Sequence, residues 1–253
     1  MKKNRLILIL GIVLTLLQTS CSVSENEIKE TDNPNPESFL TRSTLDINSL
    51  YPIRPGSVEW YSFDSHQQML DATQLQSNVL KSASTDQLME MCIAYPLLVD
   101  IYAYDDIGFG VNQVAGRFNG LTELAERPDN AEKILEYLET SNSVAYLKST
   151  VSDKEKSRNQ FYHKTAASFL MIDKVKRNLS GDLGKRAITY LVNTIREEKE
   201  YYGDYSHSLT LLEIASGING SVIEESDNSK HPSEKSLIVT ESDIENILNS
   251  LIQ

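Results

Sequence analysis

Cysteine is nearly absent from this chain: 253 residues hold two, Cys21 and Cys92. No disulfide framework can be built from them, so the fold depends on a packed core. Histidine is scarce too. His66, His163, His207 and His231 are all there are, and none lies three to five residues from another. That spacing excludes the usual zinc-site patterns. No G-x-S-x-G, phosphate loop or H-E-x-x-H occurs, and no cofactor is implied. Basic residues are outnumbered, 24 against 36 acidic ones. A field of that sign repels nucleic acid and anionic membrane surfaces, which argues against both as non-specific partners. Long apolar runs are missing except at the N-terminus. Convincing alternation of apolar and polar residues is missing as well, apart from a short candidate strand, S-L-I-V-T at 236–240.

The chain starts M-K-K-N-R, a basic segment, followed by twelve uncharged residues, Leu6 to Leu17. Twelve residues at helical rise reach roughly 18 Å, against a hydrocarbon core of about 30 Å. The run is short for a spanning helix and fits the apolar part of a signal peptide. Gln18, Thr19, Ser20 and Cys21 follow it. Through L-Q-T-S-C at 17–21 the segment resembles the bacterial lipoprotein signal family. That resemblance implies cleavage before Cys21 and lipid on its sulfur. Thr19 and Ser20 match the small residues of the family's box, whereas Gln18 stands where an aliphatic residue is usual. Lipoproteins of the Bacteroidota often carry such relaxed boxes. One acyl chain holds only marginally and two or three hold firmly. The resemblance therefore implies a membrane partner, reached through Cys21, and a place in the cell envelope, at the outer membrane.

Removing the first 20 residues removes three basic and no acidic ones, leaving 21 against 36 and a net charge of −15. The sequence divides into a signal peptide (1–20), a lipidated cysteine and tether (21–50), a helical domain (51–220), and a polar acidic linker with a C-terminal helix (221–253). The tether is polar and proline-spaced. Glu25 and Glu27 close behind the cysteine resemble, weakly, the acidic export signals of surface lipoproteins in Bacteroidota.

The expected fold class is all-α, an irregular multi-helix bundle or short helical array. Residues 51–64 hold Trp60, Tyr61 and Phe63 among prolines and read as an irregular segment packed by its aromatics. Asp64 or Ser65 can cap a helix running to about Leu80. Residues 84–104 carry Leu88, Met91, Cys92, Tyr95, Val99 and Tyr102 on one stripe, with Thr85 as N-cap and Pro96 forcing a kink or a break. Gly108 and Gly110 then allow a turn. Residues 111–127 read as a helix that bends or restarts at Asn119-Gly120. Pro128 stops it and starts the next, 129–139. A short piece surrounds Val144, Tyr146 and Leu147. A long amphipathic helix covers 154–179, broken by Gly181 and Gly184. Helices follow at 185–202 and at 208–215, the latter ended by Gly217 and Gly220. Thr240 caps a last one with Ile244, Ile247, Leu248 and Leu251 on its apolar face.

Chemistry-bearing residues gather in one place. Asp100, Asp105 and Asp106, with Tyr102 and Tyr104, precede two glycines, and Arg117 and Asn119 follow. Together with Trp60 they are the candidate ligand-binding residues, a carboxylate-lined pocket for a cation or a sugar. A solvated helix end with a polar turn, and fold-bracing by Arg117, Asn119, Glu123 and Arg127, accounts for the same residues. Cys92 lies on an apolar stripe and reads as core. The histidines read as surface or capping residues. No catalytic pair emerges. Y-P-L-L-V-D at 95–100 and F-N-G-L-T-E-L at 118–124 look similar to uncharacterised lipoproteins of Bacteroidota, a resemblance that implies no activity. The expected function is a lipid-anchored, non-enzymatic module that binds or scaffolds an envelope protein. The alternative is an anchored enzyme or glycan-binding component of a nutrient-uptake system.

Overall fold

The computed structural model describes residues 46–141, 143–219 and 240–252. The segment expected to be a signal peptide, Cys21, the expected tether up to residue 45, Gly220, the expected linker with His231, and residues 236–239 of the candidate strand lie outside them. Among the described residues there are helices and no strand, so the chain is all-α.

The body is entered through a four-residue helix, α1 (Ile47–Leu50), inside the stretch the sequence assigned to the tether. Tyr51 then locks it down. Its ring is fully buried against Tyr95 and Phe118, and its hydroxyl donates to the Met91 carbonyl at 2.9 Å. A 3-10 turn, Glu59–Ser62, follows. Trp60 packs partly onto the core, but Tyr61 does not; it is 76% exposed.

Ser65 caps α2 (His66–Ala72), as its position suggests. The helix does not run on to Leu80. It stops at Thr73 and resumes as α3 (Ser77–Ser82). The cause is distant in sequence: the Asn119 side chain accepts from the Leu75 N–H at 2.9 Å and donates to the Leu75 carbonyl at 2.8 Å. Gln74 helps, donating to Leu70 O and accepting from the Asn119 N–H. Backbone groups that a continued helix would have paired are satisfied from outside.

The next helix, α4 (Thr85–Ile93), is capped by Ser84 in a reciprocal box with Gln87. Thr85 is not the cap; its hydroxyl donates to Asp129 at 2.8 Å. Proline 96 breaks the chain, and a 3-10 turn, Leu98–Ala103, continues it. The break rotates the apolar phase, so Leu98 and Ile101 are buried while Val99 and Tyr102 are only partly so.

Gly108 and Gly110 form no turn. They lie within α5 (Ile107–Ala115), where a Cβ on Gly110 would sit 2.1 Å from the Ile101 carbonyl oxygen. Close packing, not backbone freedom, requires that glycine. Gly110→Ala is expected to cost about 2–3 kcal/mol, because a backbone carbonyl cannot swing aside as a side-chain tip can. Urea unfolding of the two proteins measures it, and a loss below about 0.5 kcal/mol, the usual range for surface changes, would show that this contact relaxes freely.

The helix α6 (Asn119–Glu126) restarts at Asn119, and α7 (Asn130–Ser141) and α8 (Ser143–Leu147) follow. The long amphipathic segment is cut in two: α9 (Asp153–Ser168) and α10 (Asp173–Asn178), joined through a 3-10 turn and an extended Ile172. Asn112 holds this break by donating to the Met171 carbonyl and accepting from the Asp173 N–H, both at 3.0 Å. The last three are α11 (Gly181–Tyr202), α12 (Leu209–Asn219) and α13 (Glu241–Leu251). Gly184 and Gly217 are helical rather than breakers. A Cβ on Gly217 would come within 2.3 Å of the Met171 Cε. α11 packs along α12, and α13 packs on both. One continuous apolar core joins these helices, with Tyr95 and Phe118 stacked at its centre, ring centroids 3.8 Å apart.

Candidate functional site

The break at Pro96 determines what the acidic segment does. The following 3-10 turn carries Asp100, and α2 starts with His66. The two meet, with His66 Nε2 2.7 Å from Asp100 Oδ2. Asp100 is largely shielded from solvent. Burial pushes its carboxyl above the ordinary value, while His66 and Arg117 pull it back down. Arg117, two residues past the end of α5, also donates to Gln113 at 3.4 Å. The structure therefore brings Asp100, His66 and Arg117 into one electrostatic neighbourhood, and His66 was not among the residues the sequence singled out for it.

Asp106, Asn119 and Trp60 serve local structure. Asp106 is the N-cap of α5, accepting from the Phe109 N–H. Asp105 is exposed. Asn119 clamps Leu75, as described. Trp60 meets Phe63 edge-on, centroids 6.0 Å apart, and takes Ser57 Oγ as acceptor for its backbone N–H. Glu123 and Arg127 pair along α6 at 3.0 Å, and Arg127 also donates to the Leu80 carbonyl at 2.9 Å. Among the described residues no group of three or more His, Cys, Asp or Glu side chains is placed to hold a metal ion. Cys92 is fully buried, and burial raises its thiol pKa far above the usual range, as suits a small core residue.

A second polar cluster, marked by no sequence motif, lies between α9, α11 and the start of α12. Glu198 is fully buried. It accepts from Ser208 Oγ at 2.6 Å and from Gln160 Nε2 at 3.2 Å, and the Lys164 ammonium is 3.5 Å away. Tyr202 extends the network by donating to Gln160 Oε1 at 2.8 Å, and it stacks on His207, centroids 3.9 Å apart. Lys164 also donates to the His207 carbonyl. A signal existed. Glu198 falls three residues after Ile195, on the stripe of Leu191 and Ile195 that faces inward.

His163 belongs to the same side of α9 and overturns its expected surface role, being fully buried. Its Nε2 lies 2.8 Å from the Tyr190 hydroxyl, which donates to the Leu138 carbonyl at 2.8 Å. Burial, aided by the Lys164 charge, lowers its pKa to about 3.

Exposed apolar side chains form the remaining surface feature. Val58 and Tyr61 are 85% and 76% exposed, three residues apart, the first capping the turn that carries Trp60 and the second within it. Comparison with protein-family models, with curated proteins and with solved structures finds no match to this chain.

Proposed function

We propose that this chain is a lipid-anchored protein of the bacterial cell envelope whose helical body docks a protein partner. The anchor rests on the N-terminal sequence: a basic start, twelve uncharged and mostly apolar residues, and T-S-C at 19–21. The docking role is carried by one observation, the exposure of Val58 and Tyr61 beside Trp60 and Phe63. Val58 and Tyr61 form a surface knob on a segment whose Trp60 and Phe63 are half-buried. Aromatic anchors of this kind supply much of the energy of protein interfaces. The net charge of −15 after cleavage keeps the body itself off an anionic surface.

Two measurements test the two halves. Metabolic labelling with a clickable fatty acid is expected to mark the wild-type chain and to be lost in Cys21→Ala. An unlabelled wild type sinks the anchor. Crosslinking in intact envelopes is expected to yield a discrete adduct that the Val58→Ser, Tyr61→Ser double variant loses while remaining folded. An adduct of unchanged yield sinks the docking role of this surface.

A further inference from the structure

We propose that Asn159 and His163, one turn apart on α9, form an internal binding site for a small neutral hydroxyl-bearing molecule. Its O–H donates to His163 Nδ1, and its oxygen accepts from the Asn159 amide.

The proton inventory leads there. The Tyr190 hydroxyl has one proton, and it goes to the Leu138 carbonyl. Its oxygen can then only accept from His163 Nε2. The Nε2 nitrogen therefore carries the proton, and Nδ1 is left as a lone pair. That second nitrogen is buried and has no partner in the protein. Fixing one ring nitrogen to orient the other is how proteins set an imidazole for a ligand. One turn away, Asn159 is 3% exposed, and neither its amide nitrogen nor its carbonyl oxygen has a partner. Asparagine is costly to bury in this way, and such groups are nearly always bonded to something.

Helical spacing puts both side chains on the same face of α9, with Cβ atoms roughly 5–6 Å apart. One oxygen atom can reach two groups across that distance. The ligand is neutral, because Lys164 already has Glu198 as its counter-ion and the imidazole stays uncharged in this setting. It needs a donor, since Nδ1 can only accept. A third unpartnered group, the buried Ser143 hydroxyl, lies on α8, which packs against α9. Buried water typically makes about three hydrogen bonds, and two of them would go to Asn159 and His163. A small alcohol presents the same chemistry.

The test is nitrogen NMR of the full-length protein, labelled at histidine and held at neutral pH, with His163→Gln assigning the resonance. The Nδ1 signal of His163 is expected upfield, where a hydrogen-bonded unprotonated nitrogen resonates. In Asn159→Leu it is expected to return downfield to the free position, with the His66 and His207 signals unmoved as a check on folding. A rotating-frame Overhauser peak to water identifies water as the occupant. A stoichiometric compound released on denaturation and detected by mass spectrometry identifies a solute. A wild-type Nδ1 at the free position overturns the proposal, and so does an Asn159→Leu protein whose Nδ1 stays bonded. Should that variant fail to fold, cross-peaks from the wild-type Asn159 amide protons to the bound molecule support the site, and their absence overturns it.

Discussion

Glu198→Ala is expected to destabilise the protein by about 3–5 kcal/mol, the range found when one partner of a buried ion pair is removed. The carboxylate is fully buried and is the meeting point of three groups from two other segments: Ser208, Gln160 and Lys164. Its loss strands the Lys164 ammonium, whose side chain is only 13% exposed. Burial already pushes that ammonium's pKa down, and Glu198 is what pulls it back up. Glu198→Gln keeps an acceptor for Ser208 but no charge, so its loss should be smaller. The double variant Glu198→Leu, Lys164→Met removes both charges and should lose less than the two single changes added together, since no orphaned ion remains. Urea unfolding of the wild type, Glu198→Leu, Lys164→Met and the double variant measures the cycle, with Glu198→Ala and Glu198→Gln unfolded beside them. For a body of this size 3 kcal/mol corresponds to a fall in Tm of about 6–12 °C. A loss under 1 kcal/mol for Glu198→Ala would mean that water reaches the site.

This network was invisible to a search for chemical motifs, because its members are spread over 160–208 and touch only when α9, α11 and α12 pack. The helices themselves were readable. The stripes of Leu88, Met91 and Cys92, of Ile134, Leu135 and Leu138, and of Ile188, Leu191 and Ile195 all face the core. Their lengths were not. Periodicity extends a helix as long as the apolar stripe continues, and it continued through 73–76 and 169–172. Both breaks are held by asparagines far along the chain, Asn119 and Asn112, whose amides replace the missing helical bonds. Asn130 repeats the device, donating to the Ala125 carbonyl and accepting from Asn178. Nothing local encodes such a clamp. Glycine behaves alike. Gly110 and Gly217 look like backbone punctuation in the sequence, yet both are helical, and at Gly110 the Ile101 backbone lies where a Cβ would be. Asn119 illustrates the consequence for the candidate site: a residue that looked like a ligand-binding group is committed to the fold.

Acid is expected to weaken the protein through His163. The imidazole is fully buried, and its pKa falls from 6.5 to about 3, chiefly through burial and secondarily through Lys164. A depressed folded-state value means that the unfolded chain takes up this proton first. Stability from the neutral ring is therefore whole above the unfolded value, near 6.5, and drains away as pH falls toward the folded value near 3. Each unit in that window costs about 1.4 kcal/mol, so moving from pH 7 to pH 4.5 should remove about 3 kcal/mol from this group alone. Asp100 works in the opposite sense, because its raised carboxyl pKa makes it most favourable at low pH. The two are separable by substitution. His163→Gln keeps a donor toward Tyr190 and cannot titrate, so its stability should fall less steeply than wild type between those two pH values, by about 3 kcal/mol. Denaturant titrations at pH 7 and pH 4.5 measure both slopes. Parallel slopes would mean that His163 takes up its proton in the folded state as readily as in the unfolded one. That would contradict the burial, because a proton on Nδ1 puts a positive charge inside the core beside the Lys164 ammonium.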